Sequence, residues 1–363
     1  MLSSRSAIAT LPLFLLLAAC GSGEAPSADS SKASAESDDV PTVEERYLTE
    51  RDENDNVDSV AVWHGPDGQN WLLATAKESD LLQVFDAATG ELIRKVGSRG
   101  DDLSEFRRPN GISIIDDLAL VVERDNHRVQ LLRLPDFTPL GSFGAEELEL
   151  PYGLWVQSIA DGGYRIFVTD AYETADEEIP PAAELDRRVQ QFRFRIESDA
   201  VEVMHERSFG DTEGAGVLYK VESLFGDAER GRLLVADEFE REANIKVYDF
   251  GGRFTGTLVG DGVFEYEPEG IALYACADGG GYWFTTDQDE RVNRFHVFDR
   301  DSLQHVGSFQ GRKTLNTDGI WLSRQPMEGY PQGAFFAVHD DGNAAAFSLA
   351  EILDALSLGA CGN

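Results

Sequence analysis

Carboxylates recur in this sequence at one position of a short repeated pattern. The pattern is a small or apolar residue, a polar residue, Gly or Ser, and an aliphatic residue, and six copies begin at positions 57, 109, 151, 221, 268 and 317. The second position holds Asp58, Asn110, Tyr152, Glu222, Glu269 and Asp318. Four carboxylates that share one site must take up protons or bind a cation. An all-oxygen set suits Ca²⁺, so we expect a calcium site.

The spacing of the copies predicts a fold that would bring these side chains together. The starts lie 42 to 70 residues apart, and repeats of about 40–50 residues are typical of propellers and solenoids. An apolar strand follows each copy, and an alternating strand follows most of them, as in residues 82–85 and 245–248. We expect an all-β, six-bladed β-propeller with four-stranded antiparallel blades. A β-sandwich is the alternative, but it gives no reason for a repeated polar position.

Polar residues at the ends of the second strands extend this candidate site. Asp237 and Glu238 are expected to add metal ligands or to support them. Lys77 and Arg124 end two other second strands. Cations beside an acidic metal site suit a phosphorylated substrate, because metal and cations share the phosphate oxygens. Water activated by the metal could then attack phosphorus.

The N-terminus reads as a targeting segment rather than as part of the fold. Residues 17–20 (LAAC) follow an apolar run and resemble a bacterial lipobox, which predicts a signal peptide over residues 1–19 and a lipid on Cys20. An ordinary signal peptide with a chance Cys is the alternative. Residues 20–43 are expected to form a disordered tether, and residues 44–363 a single propeller domain. Gly21, by resemblance to sorted lipoproteins, favours the outer membrane of the cell envelope.

The net charge and the His and Cys residues limit the possible partners and sites of this protein. A net charge of −35 argues against nucleic acid and against electrostatic binding to anionic lipid. We expect a monomer. The six His lack the spacing of a zinc site or a catalytic triad. Cys276 and Cys361 either form a disulfide that pins the C-terminal tail or remain unpaired.

An ordered set of motifs resembles the β-propeller phytases. Residues 267–274 (EPEGIALY) and 277–282 (ADGGGY) are similar to the IEGLTIY…ADGKGY stretch of that family, residues 317–320 match its TDGI, residues 331–343 (PQGAFFAVHDDGN) follow its P-x-G-x-F-V-x-Q-D-G-x-N pattern, and residues 58–63 and 75–77 lie over its DDPAIW and TNK motifs. Weaker similarity extends from about residue 57 to residue 349.

The resemblance implies a six-bladed fold and calcium-dependent hydrolysis of phytate, myo-inositol hexakisphosphate, by a 3-phytase-like phosphomonoesterase. It places calcium ligands at Asp58, Glu222, Glu269 and Asp318, with Asp237 or Glu238 near another. It places phosphate contacts at Lys77, Arg124 and Tyr152, to which we add Asn110, the one Asn kept from the family's NNxD motif. We expect Glu222, Glu269 and Asp318 to serve catalysis.

The sequence departs from the family pattern at several of these motifs. Ser59 replaces the second carboxylate of DDPA, and Glu78 replaces a lysine after Lys77. A lysine expected after the third copy's second strand is replaced around Asp170 and Ala171. These departures allow a weaker phytase, a different phosphorylated substrate or a propeller without catalysis.

Two other functional classes remain open. Residues 123–130 (ERDNHRVQ) look like the core of an NHL repeat, which is common in propellers that bind a partner. That alternative is a non-catalytic propeller at the cell envelope. A lactonase-like hydrolase with one central Ca²⁺ is the other, because such enzymes combine an acidic ring with an Asn, here Asn110.

Overall fold

Each repeat folds into an antiparallel sheet, and the sheets form the blades of a six-bladed β-propeller, which confirms the predicted fold class. The computed structural model describes residues 40–52, 54–198 and 200–362. Its strands are β1 (Thr42–Val43), β2 (Tyr47–Leu48), β3 (Val57–His64), β4 (Asn70–Ala76), β5 (Leu81–Asp86), β6 (Leu92–Val96), β7 (Pro109–Ile115), β8 (Leu118–Glu123), β9 (Arg128–Arg133), β10 (Thr138–Phe143), β11 (Pro151–Ser158), β12 (Tyr164–Asp170), β13 (Val189–Glu197), β14 (Ala200–Phe209), β15 (Val221–Asp227), β16 (Arg232–Asp237), β17 (Asn244–Asp249), β18 (Phe254–Val259), β19 (Glu267–Ala275), β20 (Gly281–Gln288), β21 (Arg294–Asp299), β22 (His305–Gly311), β23 (Ile320–Ser323), β24 (Ala334–His339) and β25 (Asn343–Ser348).

The first strand of each repeat lies innermost in its blade. These strands, β3, β7, β11, β15, β19 and β23, contact one another in a closed ring. Residues from all six copies of the pattern line one narrow central cavity of about 50 Å³. Apolar side chains between neighbouring blades form the core, as where Leu120 and Val122 of β8 pack with Ile166 and Val168 of β12.

The ring is closed by strands from the start of the chain. The sixth blade takes three strands from its own repeat, and β2 pairs with β25 as its outermost strand. β1 adds to the fifth blade, parallel to β22. Thr42 and Val43 thus belong to the propeller, although the sequence predicted a tether as far as residue 43. The predicted signal peptide, the lipidation of Cys20 and the tether up to residue 39 lie outside the described residues.

Two further segments complete the structure. Residues 171–188, between β12 and β13, form a loop that we call the third-repeat insertion, with a short 3-10 helix (Ala182–Glu184). The C-terminal helix α1 (Leu349–Ala355) packs on the fifth and sixth blades. A disulfide joins Cys276 to Cys361, the paired alternative of the two that the sequence left open. No helix in the described ranges has the length and apolar character that crossing a bilayer requires.

The repeated pattern marks a β-bulge at the start of an inner strand. In five blades the first residue of the pattern pairs with the end of the second strand, pairing is then interrupted, and it resumes at the fourth residue. The second and third residues are therefore free of the ladder, and bulges of this kind re-aim side chains. A Cβ on Gly270 or Gly319 would lie 2.7 Å from the carbonyl oxygen of the next ring residue, Asp318 or Asp58. This close approach explains the small third residue.

A buried ion pair joins the fourth and fifth blades away from the ring. Arg300 binds both carboxylate oxygens of Asp227, at 2.9 and 2.7 Å, and both side chains are almost fully buried. The guanidinium also lies 2.9 Å from Glu229. Removing one partner of such a pair leaves an uncompensated buried charge.

We therefore expect Asp227→Ala to lower the free energy of unfolding by about 3–5 kcal/mol. Asp227→Ala combined with Arg300→Met should recover part of that loss, because the buried guanidinium is removed as well, while Arg230 and Arg232, 3.6 and 3.8 Å from Asp227, still lose their partner. Urea unfolding measures both variants. The matched control is Glu351→Ala, which removes the exposed pair with Arg46 and should cost less than about 1 kcal/mol. Equal losses for Asp227→Ala and Glu351→Ala would contradict this assignment.

Candidate functional site

The bulges bring the second residues of the pattern together at one end of the central channel. Tyr152 shows how close they are: its hydroxyl donates to Asp58 Oδ1 at 3.0 Å. Burial raises the pKa of Tyr152 well above its ordinary value, with further contributions from Asp58, Glu222, Asp318 and Glu269. The Tyr152 phenol therefore interacts electrostatically with all four carboxylates of the repeated pattern. Thr169 of β12 fixes the geometry between blades, because its hydroxyl bonds the carbonyl oxygen of Glu222 at 2.6 Å.

One half of this ring contains its own cation. Lys77 Nζ lies 2.6 Å from Asp58 Oδ1 and 3.7 Å from Asp318 Oδ2. The same ammonium lies 3.4 Å from the Tyr152 hydroxyl. Despite burial, these carboxylates raise the pKa of Lys77, so it stays charged. We call Lys77, Asp58, Tyr152 and Asp318 the lysine cluster. Lys77 thus points into the ring and offsets part of its negative charge, at a position where the sequence predicted a contact with substrate phosphate.

The other half of the ring brings three glutamates together. Carboxylate oxygens of Glu222, Glu238 and Glu269 lie within 4.8 Å of one another. Glu238 and Glu269 are almost fully buried. Lys220 Nζ lies 2.9 Å from Glu238 Oε2 but does not form a hydrogen bond with it. The same ammonium lies 3.5 Å from Glu267. We call Glu222, Glu238 and Glu269 the glutamate cluster.

The three carboxylates of the glutamate cluster are not balanced by the cations and hydrogen-bond donors around them. Burial, and then repulsion from the other two glutamates, raises the pKa of Glu269 well above its usual range. Burial and repulsion from Glu222 do the same to the pKa of Glu238. Among the described residues, Glu269 Oε2 has no hydrogen-bond partner. Oxygens at opposite sides of one Ca²⁺ lie about 4.6–5.2 Å apart, so the cluster has the dimensions and the chemistry of a calcium site.

Asn110 occupies the second position of the second repeat and is fully buried. Its carbonyl oxygen accepts a hydrogen bond from Thr75 at 2.7 Å. Neither Oδ1 nor Nδ2 of its side chain has a partner among the described residues. A buried, unpaired amide costs free energy, which favours a ligand or an ordered water here.

Asp237 does not join the glutamate cluster. Its carboxylate accepts the backbone N–H groups of Tyr219, Lys220 and Phe239 and lies 2.6 Å from the buried Lys246 ammonium. Asp287 binds the loop before β19 in the same way, through the N–H groups of residues 265 and 266. Asp237 is therefore an anchor for the loop that precedes the inner strand, and of the adjacent pair only Glu238 belongs to the glutamate cluster.

The side chains of the NHL-like segment (residues 123–130) form hydrogen bonds within the second blade. Glu123 is fully buried and accepts hydrogen bonds from Arg128, Gln130 and Asn126 and from the N–H of Arg107. The motif thus fixes the loop that enters the second blade, and its most buried residues are not displayed to a partner.

A cavity of about 130 Å³ opens beside the ring. Its walls include Tyr152 and Glu222 from the ring and the basic residues Arg124 and Lys220. Ile179 of the third-repeat insertion also lines it. Arg124 pairs through Nε with Asp125 at 2.9 Å and is partly exposed. Lys220 was missed by the sequence reading, although it directly precedes the fourth copy of the pattern. The cavity therefore joins the glutamate cluster to two cations.

Comparison with known proteins finds only distant structural similarity. No protein-family profile and no curated protein matches this chain. Among solved structures, hydrazine synthase of Kuenenia stuttgartiensis is 12% identical with a TM-score of 0.48, and the match covers 83% of this chain and 97% of that one. A chain of a nidogen/laminin complex is 11% identical with a TM-score of 0.46, and the match covers 75% and 92%.

In calcium-free buffer, we expect thermal stability to fall as the pH rises from about 5 to about 8. Burial, Asp58 and other neighbours raise the pKa of Glu222 to about 7, whereas an unfolded Glu titrates near about 4.3. The folded state thus favours the protonated carboxyl, and this stabilisation is complete below the unfolded pKa and lost as the pH passes the folded one. Thermal melts in a chelator and in excess Ca²⁺ measure the effect, and Ca²⁺ should restore stability at pH 8.

Glu222→Gln is the control for this prediction, because it removes the titrating group. The decline with pH should be shallower in this variant. An equally steep decline in both proteins would show that other groups cause it.

Proposed function

We propose that this protein is a calcium-dependent phosphomonoesterase, phytase-like in its chemistry, that releases phosphate from myo-inositol hexakisphosphate or a related phosphorylated molecule. The observation that carries the proposal is the glutamate cluster, three carboxylates of which two are almost fully buried and have unpaired oxygens, next to a cavity with Arg124 and Lys220. An acidic metal site flanked by cations suits phosphate, because the metal and the basic side chains both bind phosphate oxygens.

The glutamate cluster would hold the metal in this proposal. Glu222, Glu238 and Glu269 offer oxygen atoms only, at mutual distances that fit Ca²⁺. When bound, Ca²⁺ would supply charge stabilisation and water activation for hydrolysis. Glu222 faces both the cluster and the cavity, so it links the metal to the substrate.

The remaining residues would bind and orient the phosphate. Arg124 is the planar donor suited to two phosphate oxygens, and Lys220 adds a second positive charge at the cavity wall. Tyr152 also lines the cavity and is held in place by Asp58. In hydrolysis the ester P–O bond breaks, the water oxygen bonds to phosphorus, and a water proton goes to the leaving alcohol.

The lysine cluster would have a positioning role. Lys77 ties Asp58 to Tyr152 and lies within 3.7 Å of Asp318. Asp318 is also bound by Gln288 through Oδ1. These contacts fix the orientation of Tyr152 and limit the repulsion between the two halves of the ring.

The activity test is release of inorganic phosphate from phytate and simpler monoesters by the purified protein. Activity should require Ca²⁺ and be abolished by a chelator. Glu269→Gln should lower kcat/KM by at least about 100-fold, because it removes a charged ligand of the metal. Glu351→Gln is the matched control, since Glu351 is exposed and pairs with Arg46 instead.

A folded protein that releases no phosphate at any calcium concentration would overturn the proposal. A lactone belongs in the same assay, because the buried amide of Asn110 is also compatible with the lactonase-like alternative. Calcium-dependent opening of the lactone without phosphatase activity would favour that alternative.

We also propose that the protein is a monomer anchored to the bacterial cell envelope, at the outer membrane, by a lipid on Cys20. The support is the lipobox-like sequence of residues 17–20. Cys20→Ser should move the protein from the membrane fraction to the soluble fraction of cells that express it, as immunoblotting of the fractions would show. An unchanged distribution would contradict the anchor.

A further inference from the structure

The basic groups available at the candidate site differ from those that the sequence predicts. Lys77 is held by Asp58 at 2.6 Å inside the ring. Arg188 lines the cavity, but it is buried and donates to the backbone carbonyls of residues 170, 172, 218 and 219. Arg124 and Lys220 are therefore the two cations at the cavity, within the described residues, that a ligand could share.

The cavity has room for one phosphate group. Its volume of about 130 Å³ is less than a quarter of the volume of the cavity that contains Glu267, about 580 Å³, and a phosphate group has five non-hydrogen atoms. The other phosphates of a polyphosphorylated molecule would have to lie outside it, over the surrounding surface.

That surrounding surface is acidic. Glu173 of the third-repeat insertion lines the cavity itself. Lys220 contacts Glu267 at 3.5 Å, and Glu267 belongs to a neighbouring cavity of about 580 Å³ whose other charged residues are all acidic: Glu240, Glu265, Asp289 and Glu290. Like charges within a Debye length, about 8–10 Å, repel one another. Additional phosphates would thus meet carboxylates where a polyphosphate-binding protein needs cations.

We infer that the site accepts esters with a single phosphate and discriminates against polyphosphorylated molecules. This inference rests on the proposed function and narrows its substrate class, because one phosphate satisfies Arg124 and Lys220 while the acidic surroundings penalise any further phosphate. The rest of the substrate is then neutral or cationic.

The test compares kcat/KM for myo-inositol monophosphate and for myo-inositol hexakisphosphate with the purified full-length protein, at one buffered concentration of free Ca²⁺. The monophosphate should be preferred by at least about tenfold, the lower end of electrostatic effects on association. Equal or better hydrolysis of the hexakisphosphate would overturn the inference and leave the proposed function intact. Hydrolysis of neither compound would overturn the proposed function and the inference with it.

A charge variant tests the stated cause. Glu173→Gln, Glu240→Gln and Glu290→Gln together should shift the ratio of the two kcat/KM values toward the hexakisphosphate by about tenfold. Glu184→Gln is the control, because Glu184 is exposed in the same insertion but does not line either cavity, and it should leave the ratio unchanged. A ratio that is the same in the triple variant and in the control would overturn the electrostatic discrimination.

Discussion

Crowding of negative charge at one end of the channel is the constraint on which the rest of the structure depends. Each β-bulge turns one side chain toward the axis, and the fold gives these groups no room to separate. Lys77 offsets part of the negative charge in one half of the ring, through Asp58 and Asp318. The glutamate cluster has Lys220 at its edge, in contact with Glu238. The unequal distribution of counter-charge is what makes this half of the ring a candidate for a divalent cation.

The repeated pattern links local backbone geometry to the site. A small third residue is needed because the next blade's carbonyl lies against it, as at Gly270 and Gly319. That close packing is possible only if the second residue leaves the ladder, and leaving the ladder frees its side chain for the ring. Packing between blades and the chemistry of the ring are therefore two results of one bulge.

The sequence predicts the blades and the ring of polar residues because the bulge is encoded locally and recurs at the same position of each repeat. It could not separate Asp237 from Glu238, since both are carboxylates at a strand end. Pairing of Asp237 with Val221 sets its side chain against the preceding loop, and that depends on register. The closing strands β1 and β2 have two residues each, too few for a recognisable pattern, and their partners lie more than 250 residues away. The role of Lys77 as an internal counter-ion likewise depends on distances across the ring.

A crystal structure of the protein grown with millimolar Ca²⁺, with the ion identified by its anomalous signal, tests the central claim most directly. The account predicts one ordered ion coordinated by carboxylate oxygens of Glu222, Glu238 and Glu269, while Lys77 still binds Asp58. A glutamate cluster that holds no ion under these conditions, with Lys220 moved inward to pair with all three carboxylates, would contradict it.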